Sequence, residues 1–156
     1  MFLLQPNQKT INPQKMITIV IINLIVGGLH FLTGEKYSGP LPLFVNGYLI
    51  DILLPFALYF LICLVDLRIF KHWWARATVP FLIGVKVEVA QYYGLPIFGQ
   101  TFDPLDLLAY GTGVTLAVLT DKLLLSRFFV FWNQEQNILS EVYQVASQPE
   151  DPSIKS

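Results

Sequence analysis

The chain has 156 residues, of which 54% are hydrophobic, 14% aromatic and 13% charged, and its net charge is −1. A soluble domain carries about 25% charged residues; at a mean hydropathy of +0.54 this chain has too little polar surface for water, so lipid is the expected solvent. The near-neutral charge excludes the basic footprint of a nucleic-acid partner, and a single cysteine, Cys63, excludes an internal disulfide.

In chain order, residues 1–15 are polar, carry two prolines and read as a cytoplasmic arm. Residues 16–127 hold four apolar runs, each close to the roughly 20 helical residues that a hydrocarbon core demands. They are Met16 to Thr33, Tyr48 to Val65, Ala77 to Tyr93, and Leu105 to Thr120, the last expected to stop at Asp121 and Lys122. The expected fold class is therefore all-α, an integral membrane bundle of four transmembrane helices. The first run is longer than the usual signal-peptide core and lacks a small-residue cleavage site before Gly34, which favours a retained helix. Charge bias alone fits a cleaved signal equally well. Between the first two runs, Gly39, Pro40 and Pro42 predict a turn-rich lid from Gly34 to Gly47. Residues 128–156 form the last unit. Leu123 to Trp132 is apolar but too short to span and is expected at the interface. Ile138, Val142 and Val145 predict a short amphipathic helix, and the tail from Ser147 is expected to be disordered.

Lys9 and Lys15, then Arg68, Lys71 and Arg76, then Lys122 and Arg127 fall at one face, whereas the short loops at the other hold Lys36 alone. The positive-inside bias makes the richer face cytoplasmic, with both termini inside. The predicted localisation is the cell membrane, multi-pass. Trp73 and Trp74 at the inner side and Tyr92 and Tyr93 at the outer side suit an aromatic belt around the third helix.

Against that background, ionisable residues within the runs stand out, because Asp, Lys or Arg at a helix centre costs about 2.5–3.5 kcal/mol. Asp51, Lys86 and Glu88 lie inside runs and Asp106 opens one, all in the outer half of the expected topology, with His30 at similar depth. Glu88 and Gln91, three residues apart, share a helix face. Lys86 points elsewhere and requires a partner on another helix, for which Asp51 and Asp106 are the candidates. Asp103, Pro104 and Asp106 read as a helix start, with Asp103 as N-cap and Asp106 at the positive end of the dipole. The expected ligand-binding pocket is Asp51, Lys86, Glu88, Gln91, Asp103 and Asp106. Each has a structural competitor: capping suffices for Asp103, a dipole partner for Asp106, interhelical glue for Lys86 and Glu88, and an interfacial position for His30. Pro55 is expected to kink the second helix below Asp51. Gly111 and Gly113, with Thr112 and Thr115, are expected to let a neighbouring helix pack closely.

Glu88-Val-Ala-Gln91, Gly99-Gln100-Thr-Phe-Asp103-Pro-Leu-Asp106, Tyr110 and Gly113 together resemble the signature of the VanZ-like membrane proteins. That family is named for a protein associated with low-level teicoplanin resistance. Glu88, Gln91, Gly99, Asp103, Asp106 and Gly113 match the pattern, while Gln100 stands where the family usually has Arg and Tyr110 where it usually has Asn. The resemblance covers about 40 residues and implies a compact helical bundle.

Three function classes follow. The first is a non-enzymatic membrane protein whose outward polar pocket binds a small polar ligand, a lipid headgroup or a cell-envelope precursor, with a glycopeptide-resistance role. The second is an intramembrane enzyme or divalent-metal site built from His30, Asp51, Glu88 and Asp106, with His30, Glu88 and Asp106 as the metal set. Against it, the sequence has no His-x-x-x-His, no Glu-x-x-His and no nucleophile with a nearby base, so no cofactor and no resident metal are expected. The third is a small assembly subunit, with Gly111 and Gly113 marking a docking face. The expected partners are the lipid bilayer and a polar ligand or envelope lipid, with a homo-oligomer as a further option.

Overall fold

A computed structural model describes residues 12–33, 37–95 and 103–132; among these every regular element is helical. Helix α1 runs Pro13–Leu32, α2 Pro42–Gly47, α3 Leu49–Ile62, α4 Trp73–Tyr92 and α5 Pro104–Leu119. Short 3₁₀ turns occupy Arg68–Lys71 and Val130–Trp132. Two helices are long and apolar enough to cross a membrane, Pro13–Leu32 and the continuous stretch Pro104–Phe128.

Local chemistry places the starts. The Asn12 side chain caps α1 by accepting from the Gln14 N–H at 3.0 Å, with Pro13 in the first turn where a missing N–H does no harm. The Asp103 side chain caps α5 in the same way, 2.9 Å from the Leu105 N–H, again followed by proline. The expected arm of residues 1–15 thus ends earlier than the sequence suggested, since Pro13–Lys15 already belong to α1.

The ends depart more from expectation. The predicted lid contains a helix, α2, which Pro42 starts and which is separated from α3 by a break at Tyr48. α3 proper is 14 residues, about 21 Å at 1.5 Å per residue, and reaches membrane-spanning length only together with α2. At the other extreme, Asp121 and Lys122 do not end the last helix. The chain widens into a π turn over Thr120–Leu125 and resumes at Ser126–Phe128. Both the Ser126 N–H and its hydroxyl reach the Asp121 carbonyl, the latter at 2.7 Å, which holds the wider turn. Leu123 to Trp132 is accordingly not wholly interfacial, because Leu125 and Trp132 are buried. The expected amphipathic helix at 138–145, the tail, and Gly99 and Gln100 of the resemblance lie outside the described residues.

In the core α3, α4 and α5 pack on one another, α5 against both of the others, with α1 laid against α3. Ile19, Tyr59, Phe60, Ala117, Leu125 and Trp132 form its buried cluster. The closest approach is at Gly113: a Cβ there would collide with the Ile52 carbonyl and meet the Pro55 ring at 2.9 Å. Gly84 of α4 makes a second one, where a Cβ would come within 2.5 Å of the Tyr110 ring. Gly111, by contrast, has only the Phe81 ring at 3.8 Å, so the close packing expected of the Gly111–Gly113 pair belongs to Gly113.

Gly113→Ala should therefore lower stability by about 1–3 kcal/mol through overpacking, while Gly111→Ala should be neutral or stabilise by up to about 1 kcal/mol from helix propensity. Unfolding of the purified variants in mixed detergent micelles measures both, and equal behaviour of the two would rule out the Gly113 contact as described.

Candidate functional site

Two polar clusters sit at opposite ends of the α3–α4–α5 bundle. One uses the starts of α3 and α5 and the end of α4; the other uses the end of α3, the start of α4 and the π turn.

At the first end Glu88 is 1% exposed. Its Oε1 accepts from the Tyr110 hydroxyl at 3.0 Å and its Oε2 from the Asp103 N–H at 3.3 Å. Asp103, besides capping α5, accepts from the Tyr48 hydroxyl at 3.3 Å. Asp51 faces Tyr110 and Glu88, and Asp106 faces Asp51, Glu88 and Asp103. The structure thus gathers Asp51, Glu88, Asp103 and Asp106 from three helices, because the Gly84 and Gly113 contacts draw α4 and α3 onto α5.

Beside this cluster lies a cavity of about 350 Å³. Asn46, Asp51, Gln91, Asp106 and Tyr110 contribute to its polar end, and Ile50, Leu54, Leu58, Pro80, Ile83 and Val87 line the rest. Glu88 and Asp103 are not in its wall. They act behind it, Glu88 holding Tyr110 and the α5 start, and Asp103 capping that helix. Pro55, also in the wall, has no N–H to donate to the Asp51 carbonyl four residues back.

Two expectations fail here. Lys86 does not pair with Asp51 or Asp106; it is exposed on a different face of α4, flanked by exposed Leu82 and Val89, and has no ion-pair partner among the described residues. Two residues of helix separate it from Glu88 by about 200°, so burying Glu88 turns Lys86 outward. The alternative metal set of His30, Glu88 and Asp106 is also not assembled. His30 is exposed on α1, which packs on α3, and among the described residues no three His, Cys, Asp or Glu side chains form a group able to hold a metal ion. Tyr110, named only as a position of the resemblance, and Asn46 were not placed in the pocket by the sequence. The available signal for Tyr110 was its position one turn after Asp106, on the same face.

The second cluster was missed altogether. Asp121, 2% exposed, accepts from the Tyr59 hydroxyl at 2.6 Å, from Arg76 Nη2 at 3.2 Å and from the Trp132 indole N–H at 2.6 Å. Arg76 also donates from Nη1 to Cys63 Sγ at 3.1 Å and lies over the Tyr59 ring, 5.4 Å from its centroid. Lys15 of α1 covers the other aromatic member, 5.4 Å above the Trp132 ring. Here each carboxylate oxygen has a donor and Arg76 supplies the counter-charge to Asp121. The network ties α1, α3, α4 and the end of α5 into one unit. Arg76 was counted only towards topology and Asp121 only as a helix terminator, although Leu123, Leu124 and Leu125 beyond it already placed a charge within an apolar run.

A scan against protein-family models and searches of curated proteins and of solved structures give no match to this chain.

Removing one partner of the buried pair exposes the cost of the other. Asp121→Asn should destabilise the bundle by about 3 kcal/mol because Arg76 keeps its charge without a counter-charge. Tyr59→Phe, which deletes one hydrogen bond, should cost about 1 kcal/mol. Denaturant titrations followed by circular dichroism read both, and the ordering of the two is the critical result.

Proposed function

We propose that this chain is a multi-pass protein of the cell membrane with four membrane-crossing helices, both termini in the cytoplasm, and a cavity at the outer side that binds a small polar ligand, a lipid headgroup or a cell-envelope precursor. The carrying observation is the cavity itself, where Asp51, Asp106, Gln91 and Tyr110 converge at one end of an otherwise apolar wall.

Several features support the membrane reading. The outward side of α1 presents Met16, Ile17, Val20, Ile21, Leu24 and Ile25, all roughly half or more exposed, a surface that in water would invite aggregation. α4 falls short of spanning composition through Arg76, Lys86 and Glu88, yet two of these three are buried against partners. Only Lys86 faces outward, and its long stem allows it to extend towards headgroups. α2 and α3 together run Pro42–Ile62, with the break at Tyr48 beside the acidic cluster. The distribution of Lys and Arg then puts Arg76, Asp121 and Lys122 inside and the cavity's polar end outside.

A VanZ-like assignment is part of the proposal and rests on Glu88, Gln91, Asp103, Asp106 and Gly113. The same positions carry the geometry: Glu88 buried, Asp103 capping, Asp106 at the cavity and Gly113 against α3. On this reading the cavity contributes to handling of an envelope component, and the glycopeptide phenotype of the family is its expected output. The metal and enzyme reading gains nothing from the side chains that meet.

Cells expressing the chain should show altered teicoplanin susceptibility that disappears in Glu88→Gln, Asp106→Asn, with the variant still inserted in the membrane; an unchanged phenotype in that variant would remove the pocket from the function. Topology is read separately in a Cys63→Ala background. A cysteine at Asn46 or Tyr93 should react with an impermeant maleimide on intact cells, and one at Lys71 only after permeabilisation. The reverse pattern would invert the orientation.

A further inference from the structure

We infer that the cavity takes a single-chain cationic amphiphile, an amine or quaternary ammonium headgroup at Asp51 and Asp106 with its alkyl chain laid along Leu54, Leu58, Pro80 and Ile83. The inference rests on the cavity reading above and specifies its ligand class.

Shape is the first ground. The cavity follows α3 from Asp51 to Leu58, seven residues or about 10 Å of helix, and its polar groups are confined to one end. A compact polar solute would fill that end and leave the apolar part empty. A chain with a small head fills both.

Charge is the second. The charged groups of the polar end are all acidic: the Asp51 and Asp106 carboxylates stand in the wall beside the Asn46 and Gln91 amides and the Tyr110 hydroxyl, with Glu88 close behind them. Among the described residues the cavity wall contains no Lys or Arg; Lys86 points away and Arg76 is held by Asp121 at the other end of the bundle. An anionic head would meet uncompensated repulsion in a low-dielectric setting, whereas a cation relieves the repulsion among Asp51, Glu88 and Asp106. The contrast with the second cluster is direct: there a guanidinium neutralises the carboxylate, and here the bundle supplies no cation of its own among the described residues.

The test uses the full chain in phosphatidylcholine nanodiscs, with radiolabelled dodecyltrimethylammonium as the probe and empty nanodiscs as the blank. One saturable site per chain is expected. Across the octyl, decyl and dodecyl homologues, affinity should rise about fourfold per methylene until the cavity is full. Dodecyl sulfate and dodecanol should compete at least tenfold more weakly, and tetramethylammonium should hardly compete. Asp51→Asn, Asp106→Asn should weaken the probe at least tenfold, and Leu58→Trp, which occupies the apolar end, should flatten the chain-length dependence. The headgroup and chain-length series need no variant, so a misfolded mutant cannot hide the answer. Equal competition by the sulfate or the alcohol would overturn the cationic head while leaving the cavity reading intact. Equal binding of tetramethylammonium and the dodecyl probe would overturn the chain. No saturable binding by any amphiphile would overturn the inference as a whole, and the Glu88→Gln, Asp106→Asn phenotype decides separately whether the cavity has a function.

Discussion

Backbone-to-backbone approach of α5 and α3 at Gly113 is the constraint from which both polar clusters follow. With no side chain at Gly113, the Ile52 carbonyl and the Pro55 ring lie directly on the α5 backbone. A helix is close to a rigid rod, so fixing its distance and rotation at one point fixes both its ends. Towards the α5 start, Asp106 and Tyr110 are brought to Asp51. Towards its end, Asp121 is brought to Tyr59 and Arg76. The Gly84 contact with Tyr110 does the same for α4, setting Glu88 against the Tyr110 hydroxyl.

The two clusters obey the same electrostatics with opposite outcomes. Around Asp121 the acid is matched by Arg76 and its oxygens are saturated by neutral donors as well, the condition under which a buried ion pair is tolerated. The cluster then acts as a clasp, and the π turn is the local adjustment that aims the carboxylate inward while Trp132 folds back onto it. Around Asp51, Glu88 and Asp106 the donors are the Tyr110 hydroxyl and the Asp103 backbone N–H, with no fixed positive charge among the described residues. A network whose acid is matched by a counter-charge, as at Asp121, stabilises and stays closed. An under-compensated one beside a cavity is what the proposed ligand site rests on.

Much of the architecture was legible because it depends on one helix at a time. Apolar run length located α1, α4 and most of α5, and the Asp-Pro-x-Asp pattern gave the α5 start with its cap. The cost of ionisable groups in apolar runs drew attention to Asp51, Glu88 and Asp106, which lie near one another at one end of the bundle. Where the reading slipped, a local rule was overridden by packing. Asp121 and Lys122 look like a terminus by composition, but Asp121 is sheltered by Arg76 and Tyr59, so the helix runs on. Pro42 reads as a turn signal, and equally it is a first-turn proline, the role it takes in α2. Lys86 was assigned a partner on the assumption that a charged side chain in a run must face the bundle.

What the sequence determined alone is the helical, apolar character of the chain, the capped start of α5 at Asp103 and Pro104, and the presence of several acids within apolar runs. Tertiary structure alone decided which acids share a space, that Tyr110 rather than Lys86 meets Glu88, and that Arg76 and Asp121 form a closed pair. The physical reason is that periodicity gives the angle between residues on one helix but not the rotation of that helix against its neighbours. That rotation is set by close contacts, chiefly those of Gly113 with α3 and Gly84 with Tyr110, between residues far apart in the chain.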